Sequence, residues 1–209
     1  MIFYGLIYAE PGDFNFEGVG SSIATWTEFE SGPTRPVIDP DAAHPDLLWS
    51  ADEPAFVAGV IDGDHLYGFA CEQVGLGRPC TLARAPLDRV QEHDAWEWWD
   101  GSAFGDGAHA ELFQGAPILS VSFNPWLGAW LAVYSPPFDG VIYGRTAPEL
   151  TGPWSEAAVL YDPPADTPYD ANPHPDLETD GRTLYLTYSR PHGDRWFATE
   201  FPWIEVELE

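Results

Sequence analysis

Four stretches of the chain share a pattern of short apolar runs rich in aromatic residues. They read IFYGLIYAE (2–10), DGDHLYGFACE (62–72), GAWLAVYSP (128–136) and DGRTLYLTYSR (180–190). Runs of this length, bounded by turn-forming residues, are typical of β-strands. The first, second and fourth carry an aligned Leu-Tyr or Phe-Tyr pair, and the third carries Trp130-Leu131 at that place. Counted from the first residue of each pair, the intervals between copies are 63, 64 and 54 residues.

The repeat extends beyond these central strands. The second copy continues as CTLARAPLDRV (80–90) and AWEWWDG (95–101), and the third as VIYGRTAPEL (141–150) and GPWSEAAVLYD (152–162). Short segments at 54–62, 116–126 and 174–180 are predicted to form innermost strands. Strand-only repeats of roughly this period are typical of β-propeller blades.

The pattern therefore predicts an all-β fold, a five-bladed β-propeller of which four blades are visible and the first is missing. The predicted blade units are 1–40, 41–110, 111–165 and 166–209, within a single domain of residues 1–209. We expect most tryptophans to pack between blades, although stacking on sugar rings is the alternative.

The net charge of the chain limits the classes of molecule that it can bind. The chain has 34 acidic residues against eight Arg and no Lys, for a formal net charge of −26. Such a charge repels phosphate backbones and anionic lipid, so we expect no nucleic acid and no membrane insertion. An acidic, solvated surface is the simplest interpretation. The alternative is a surface that selects cationic partners or divalent metal ions.

The two cysteines, Cys71 and Cys80, stand at the facing ends of two predicted strands. A disulfide across this hairpin is geometrically plausible and would indicate an oxidising compartment. Two free thiols are the alternative. No secretion signal or apolar run of 18 residues is visible in the sequence, and the chain opens directly inside a predicted strand.

The tetrapeptide His-Pro-Asp-Leu occurs twice, at 44–47 and 174–177. The second copy lies in a cluster of Asp170, Asn172, His174 and Asp176. Such a cluster could hold calcium or bind sugar hydroxyl groups, and the alternative is a loop in which Asp and Asn cap turns. We name His174, Asn172 and Asp176 as candidate substrate-binding residues, and His174 as the candidate metal ligand.

Three carboxylates are candidate catalytic residues. Asp52 and Glu53 precede the 54–62 strand, and Glu17 lies in the Gly-rich segment GDFNFEGVGSS. Glycoside hydrolysis needs two carboxyl groups about 5–10 Å apart, and an ordinary surface acid is the alternative for each residue. We expect all three to meet His174 and Asn172 at one channel mouth, where repulsion between carboxylates would raise one pKa and supply a general acid.

Three motifs carry a family resemblance: the turn at 124–128, the Gly-Pro-Trp turn at 152–154 and the His174-Pro175 pair. They resemble blade motifs of the arabinanase-like glycoside hydrolases, which are five-bladed propellers. Nearly the whole chain is similar to the bacterial propeller family called domain of unknown function 4185, in which some members are described as endo-D-arabinanases. The resemblance implies that His174 faces the channel centre, and Asn124 is a further candidate substrate-binding residue.

The resemblance also implies that the catalytic acids lie on successive inner strands, one of them usually in the first blade. Because that blade is expected to be missing, the chain would be a fragment, begin at a misassigned start or have lost catalysis. We predict an endo-acting glycoside hydrolase for an arabinan-like polysaccharide, with a non-catalytic glycan-binding or protein-interaction propeller as the alternative. No cofactor is expected to be required, calcium in the channel is the candidate ion, and we expect a monomer in an extracellular or periplasmic location.

Overall fold

The computed structural model describes residues 1–12, 14–28, 30–137, 139–163, 168–177, 180–192 and 198–208. Within these ranges the regular structure is strand, apart from two 3-10 turns at His93–Ala95 and Pro175–Leu177. The predicted all-β class is confirmed. None of the described segments is a helix of the length and apolarity that a membrane span requires.

The strands form four sheets that follow one another along the chain, as successive blades would. The first contains β1 (Ile2–Ala9), β2 (Phe16–Ala24) and β3 (Trp49–Ser50). The second contains β4 (Phe56–Asp62), β5 (His65–Cys71), β6 (Pro79–Pro86), β7 (Glu97–Trp99), β8 (Phe104–Gly105) and β9 (Phe113–Gln114). The third contains β10 (Leu119–Asn124), β11 (Ala129–Tyr134), β12 (Ile142–Ala147) and β13 (Ala158–Tyr161). The fourth contains β14 (Tyr169–Pro173), β15 (Thr183–Pro191), β16 (Thr199–Glu200) and β17 (Trp203–Glu207).

The chain divides into two compact units, residues 1–72 with 81–110 and residues 73–80 with 111–209. The first sheet takes a strand from beyond residue 40, because β3 pairs with β2. A fifth blade is not seen in the described part of the chain. The five-blade count, the missing first blade and the single domain stay predictions.

Aromatic packing forms the core of the first unit. Trp49 of the first sheet meets Phe56 of the second edge to face at 5.0 Å between ring centroids. Trp96 is buried against both rings, and its indole N–H donates to the carbonyl of Val90. Edge-to-face contacts of this kind add to the free energy gained from burial alone. For Trp96, the expectation that tryptophans pack between neighbouring sheets is confirmed.

Aliphatic residues dominate the core of the second unit. Alternate residues of β15, Leu184, Leu186 and Tyr188, are buried against Leu131 and Val133 of β11. This period of two is the one that directs successive side chains to opposite faces of a sheet. The fourth sheet therefore buries one face and leaves the other for polar and aromatic side chains.

One predicted strand is wrong. The inner strand of the last sheet was expected at 174–180, but β14 ends at Pro173 and a 3-10 turn follows at Pro175–Leu177. Pro175 has no backbone N–H, so it cannot donate to the hydrogen-bond ladder of a central strand. Residues 178 and 179 lie outside the described ranges.

The disulfide prediction is confirmed. Both cysteines are disulfide-bonded, and the chain has no others, so the bond joins Cys71 of β5 to Cys80 of β6. These two strands are neighbours in the second sheet. The bridge closes the connecting segment 72–79 into a covalent loop.

Candidate functional site

Glu53 is the best-connected of the candidate acids. Its Oε2 accepts hydrogen bonds of 2.8 Å from both the backbone N–H and the hydroxyl of Ser50. Its Oε1 lies 2.5 Å from Nε2 of His93, forty positions along the chain. Glu53 lies in the turn between the end of β3 at Ser50 and the start of β4. This turn places the Glu53 carboxylate against the 3-10 turn that contains His93.

These contacts decide the charge of the pair. Partial burial by itself raises the pKa of Glu53, but the bonds from His93 and Ser50 outweigh it and the pKa lies below its ordinary value. The bond to Glu53 raises the pKa of His93 despite the opposing effect of burial. Glu53 is therefore suited to act as an ionised base or nucleophile rather than as a general acid.

We expect the Glu53→Gln variant to lower the pKa of His93 towards about 6.5, the value of an unperturbed imidazole. The stabilisation lost should be under about 1 kcal/mol, because the side chains of His93 and Glu53 are 49% and 36% exposed and water screens the pair. Glu53 stabilises the folded state at pH values above its unfolded-state pKa, and His93 stabilises it fully at pH values below its unfolded-state pKa. The loss should therefore be largest between about pH 4.5 and 6.5, and should shrink as the pH rises past the folded-state pKa of His93.

NMR titration of the His93 ring measures this shift directly. Asp94→Asn is the matched control, because Asp94 lies 3.4 Å from the other ring nitrogen of His93 and should shift its pKa less. An unchanged His93 pKa in Glu53→Gln would contradict the ion pair.

The other two candidate acids lie in the same unit with fewer partners. Asp52 is exposed in the turn that leads to β4. Glu17 is the second residue of β2 and lies opposite Tyr8 of β1. With Arg35 and His44 it borders a cavity of about 590 Å³. The catalytic roles of Asp52, Glu53 and Glu17 stay predictions.

Asn124 has a structural role in this geometry. The residue is 1% exposed, its amide nitrogen donates to the carbonyl of Gly181 at 2.7 Å, and its oxygen accepts from the N–H of Leu127 at 2.9 Å. Both polar atoms are thus bonded inside the protein. The predicted substrate-binding role of Asn124 stays a prediction.

Asn172 lies within the last inner strand and His174 lies just after its end. The expectation that His174 begins an inner strand at 174–180 is wrong. The His174 ring stacks on Trp203 at 5.1 Å between centroids, and its Nε2 lies 2.9 Å from Oγ1 of Thr187. Asp176 is exposed in the 3-10 turn. The binding roles of these residues, and their convergence with the acids of the first unit, stay predictions.

The two His-Pro-Asp-Leu copies have different surroundings. In the first copy, Asp46 accepts a hydrogen bond from the Tyr4 hydroxyl at 3.1 Å and pairs with Arg35 at 3.3 Å. In the second copy, Asp176 is exposed. Sequence identity over four residues therefore does not make the two positions equivalent.

A cavity of about 640 Å³ lies in the second unit, with its walls on the disulfide-closed loop and on β11 and β12. The polar and aromatic side chains that line it are those of Gln73, Arg78, Gln114, Tyr134, Asp139, Tyr143 and Arg145. Two of the eight arginines of a strongly acidic chain thus border one cavity. The volume is within the usual range for a small-ligand site.

Hydrogen bonds fix the orientation of the cavity side chains. Nε of Arg145 donates to the Tyr134 hydroxyl at 2.8 Å, and Nη1 donates to the carbonyl of Ser155 at 2.6 Å. The Tyr143 hydroxyl donates to Asp139, and this bond, together with slight burial, raises the pKa of Tyr143. A lining held in this way can present fixed hydrogen-bonding groups to a ligand at little ordering cost.

Asp170 belongs to the polar cluster seen in the sequence but was not named as a candidate site residue. Its φ of 56° is uncommon outside glycine, and β14 carries one extra residue between the Tyr169–Ser189 and Asn172–Thr187 pairs. Its Oδ1 is buried without a hydrogen-bond partner among the described residues. This burial raises the pKa of Asp170. Nothing local in the sequence indicates the bulge or the burial.

Residues 16–196 match the family described as domain of unknown function (DUF4185). The chain belongs to the DUF4185 family. Among curated proteins, this DUF4185 chain is similar to notoamide biosynthesis cluster protein J of Aspergillus sp. (strain MF297-2), with 28% identity over 195 residues. The match covers 87% of the chain and 49% of that relative.

Among solved structures, the DUF4185 chain is similar to a Bacteroides ovatus ATCC 8483 protein provisionally assigned as a hydrolase, with a TM-score of 0.59 and 16% identity. That match covers 93% of the chain and 52% of the B. ovatus protein, and it shows a shared fold. An α-L-arabinofuranosidase from Podospora anserina, solved with cellotriose, aligns over 72% of the chain and 45% of its own length at 16% identity and a TM-score of 0.45, too low to argue from. The chain spans about half the length of the first two of these proteins.

Metal binding by the DUF4185 chain has little support. No group of three or more His, Cys, Asp or Glu side chains that could hold an ion occurs in the described ranges. Asp170 and Asn172 lie on β14, His174 directly follows it, and Asp176 lies in the 3-10 turn. Calcium binding at His174 stays a prediction.

Proposed function

We propose that this chain is a carbohydrate-active propeller, a glycoside hydrolase that acts on an arabinan-like polysaccharide. The cavity of the second unit is the observation that carries the proposal. Tyrosine rings offer faces for the C–H surface of a sugar, and guanidinium, amide and carboxylate groups offer donors and acceptors for hydroxyl groups. The resemblance to arabinanase-like propellers supports the same substrate class.

Glu53 is the strongest candidate among the acids for the ionised carboxylate that hydrolysis requires. A glycosidase pairs such a group, acting as base or nucleophile, with a second carboxyl group that donates a proton to the leaving oxygen. The lowered pKa of Glu53 fits the first role. Asp52 and Glu17 remain the candidates for the second.

A glycan-binding protein without hydrolytic activity is the second candidate function. One observation favours it: the Glu53 carboxylate is already engaged by His93 and by two donors of Ser50. A carboxylate held in this way stabilises a turn as readily as it serves catalysis.

We expect the wild-type chain to release soluble sugars from plant or mycobacterial arabinan, measured as reducing ends. Glu53→Gln, Asp52→Asn and Glu17→Gln are compared with the exposed Glu156→Gln as control. Loss of a catalytic carboxyl group should lower the rate by at least about 100-fold, because acid–base catalysis contributes that much. Binding of arabinan without release of reducing ends would favour the second candidate function. If the chain neither binds nor cleaves arabinan, the arabinan proposal is rejected.

Export to an extracellular or periplasmic compartment is part of the same proposal. The Cys71–Cys80 disulfide supports it, because such bonds persist in oxidising compartments. We also propose that the chain acts as a monomer on a polysaccharide or oligosaccharide partner.

A further inference from the structure

The start of β14 contains a polar atom with an unusual energetic cost. The Oδ1 atom of Asp170 is buried without a donor among the described residues. A buried acceptor without a partner is costly, and the left-handed backbone of Asp170 adds strain. Such an atom calls for an explanation, and a bound group that donates a hydrogen bond to it is one of them.

Asn172, two residues further along β14, adds the complementary group. Its side-chain oxygen accepts a hydrogen bond of 3.2 Å from the Ser120 hydroxyl of β10. This bond fixes the amide plane and leaves the amide N–H groups without a partner among the described residues. The start of β14 thus offers a carboxylate acceptor and an amide donor close together in the chain.

The same strand is hydrogen-bonded to a segment that lines the cavity of the second unit. The backbone N–H of Ala171, between Asp170 and Asn172, donates to the Ser135 hydroxyl at 3.3 Å. Pro136, the next residue along the chain, lines the cavity. The β14 bulge is therefore hydrogen-bonded to the segment that forms part of the cavity wall.

We propose that Asp170 and Asn172 bind one sugar residue, with the Asp170 carboxylate accepting a hydrogen bond from a sugar hydroxyl and the Asn172 amide donating to a neighbouring one. This inference rests on the proposed function, since it assigns the substrate contact of the same unit. A carboxylate acceptor two residues before an amide donor suits neighbouring hydroxyl groups, each of which both donates and accepts. A calcium ion would require six to eight oxygen ligands, more than this pair supplies.

Two readouts test the proposal, starting with binding of plant and mycobacterial arabinan by affinity electrophoresis. We expect Asp170→Ala to weaken the binding about 10-fold or more and Asn172→Ala to weaken it less, because hydrogen bonds to charged groups are the stronger ones. Asp176→Asn, at an exposed position in the following turn, is the matched control and should stay within about twofold. Asp170→Asn, which keeps the shape of the side chain, guards against misfolding of the alanine variant.

The second readout is the side-chain carboxyl ¹³C resonance of Asp170, followed during separate titrations with L-arabinose, D-arabinose, xylose, galactose or calcium. We expect an arabinose to move it. If arabinan binds and both Asp170 variants bind within twofold of wild type, the inference fails while the proposed function stands. If arabinan does not bind but another sugar moves the resonance, the inference stands and the arabinan proposal fails. A resonance that moves with calcium alone, or with none of these probes, rejects the inference.

Discussion

Replacement of Gly20 by alanine is expected to lower the melting temperature by about 6–12 °C, corresponding to about 3 kcal/mol for a chain of this size. A Cβ atom at Gly20 would lie 2.2 Å from the carbonyl oxygen of Trp49 and 2.7 Å from Cδ1 of Leu47. The φ of 151° adds strain for any other residue. Overpacking against backbone is costly because the backbone cannot move aside like a flexible side chain.

The expected damage includes the candidate site. Gly20 pairs with Ser50 across β2 and β3, and Ser50 supplies two hydrogen bonds to the Glu53 carboxylate. Displacing β3 should therefore also disturb the Glu53–His93 pair. Gly18→Ala is the matched control on the same strand, since a Cβ there meets nothing within 4 Å. Scanning calorimetry of the three proteins decides the matter, and a Gly20→Ala melting temperature within about 2 °C of wild type would contradict the packing described here.

The second large effect is expected from removal of the disulfide. Closing a loop of this length lowers the entropy of the unfolded chain and should stabilise the fold by about 2–3 kcal/mol. We expect the double variant Cys71→Ala/Cys80→Ala to unfold about 4–12 °C below wild type. Part of the loss is packing, because Cys71 and Cys80 are 3% and 0% exposed.

Reductant separates the two contributions. Dithiothreitol should lower the melting temperature of wild type and leave that of the double variant unchanged. Titration of the unfolded, unreduced protein should find no free thiol. Two reactive thiols in that titration would overturn the disulfide and remove its support for export.

Sequence reasoning located most of the sheet strands. Apolar runs such as those of β1, β5, β11 and β15 can be recognised as strands from their own residues. The pattern of apolar residues with turn-forming residues on both sides is a local property of the sequence. The two-residue strand β3 is too short to carry such a pattern. The inner strand β14 contains Asp170, Asn172 and Pro173, which have low strand propensity, and only pairing with β15 makes it a strand.

The candidate site was less predictable for a related reason. Glu53 and His93 meet across forty positions, and no pattern near either residue indicates the partner. The buried oxygen of Asp170 likewise results from the bulge in β14 and from tertiary packing. Residue type suggested which side chains could do chemistry, but their charge states depend on neighbours that only the fold supplies.

The covalent loop between β5 and β6 has a consequence for protein engineering. The disulfide anchors this segment at both ends, so substitutions within it leave the covalent closure intact. The same segment supplies Gln73, Leu76 and Arg78 to the wall of the cavity. Libraries randomised at these three positions could therefore retune ligand preference without redesigning a blade, as grafted loops do on rigid scaffolds.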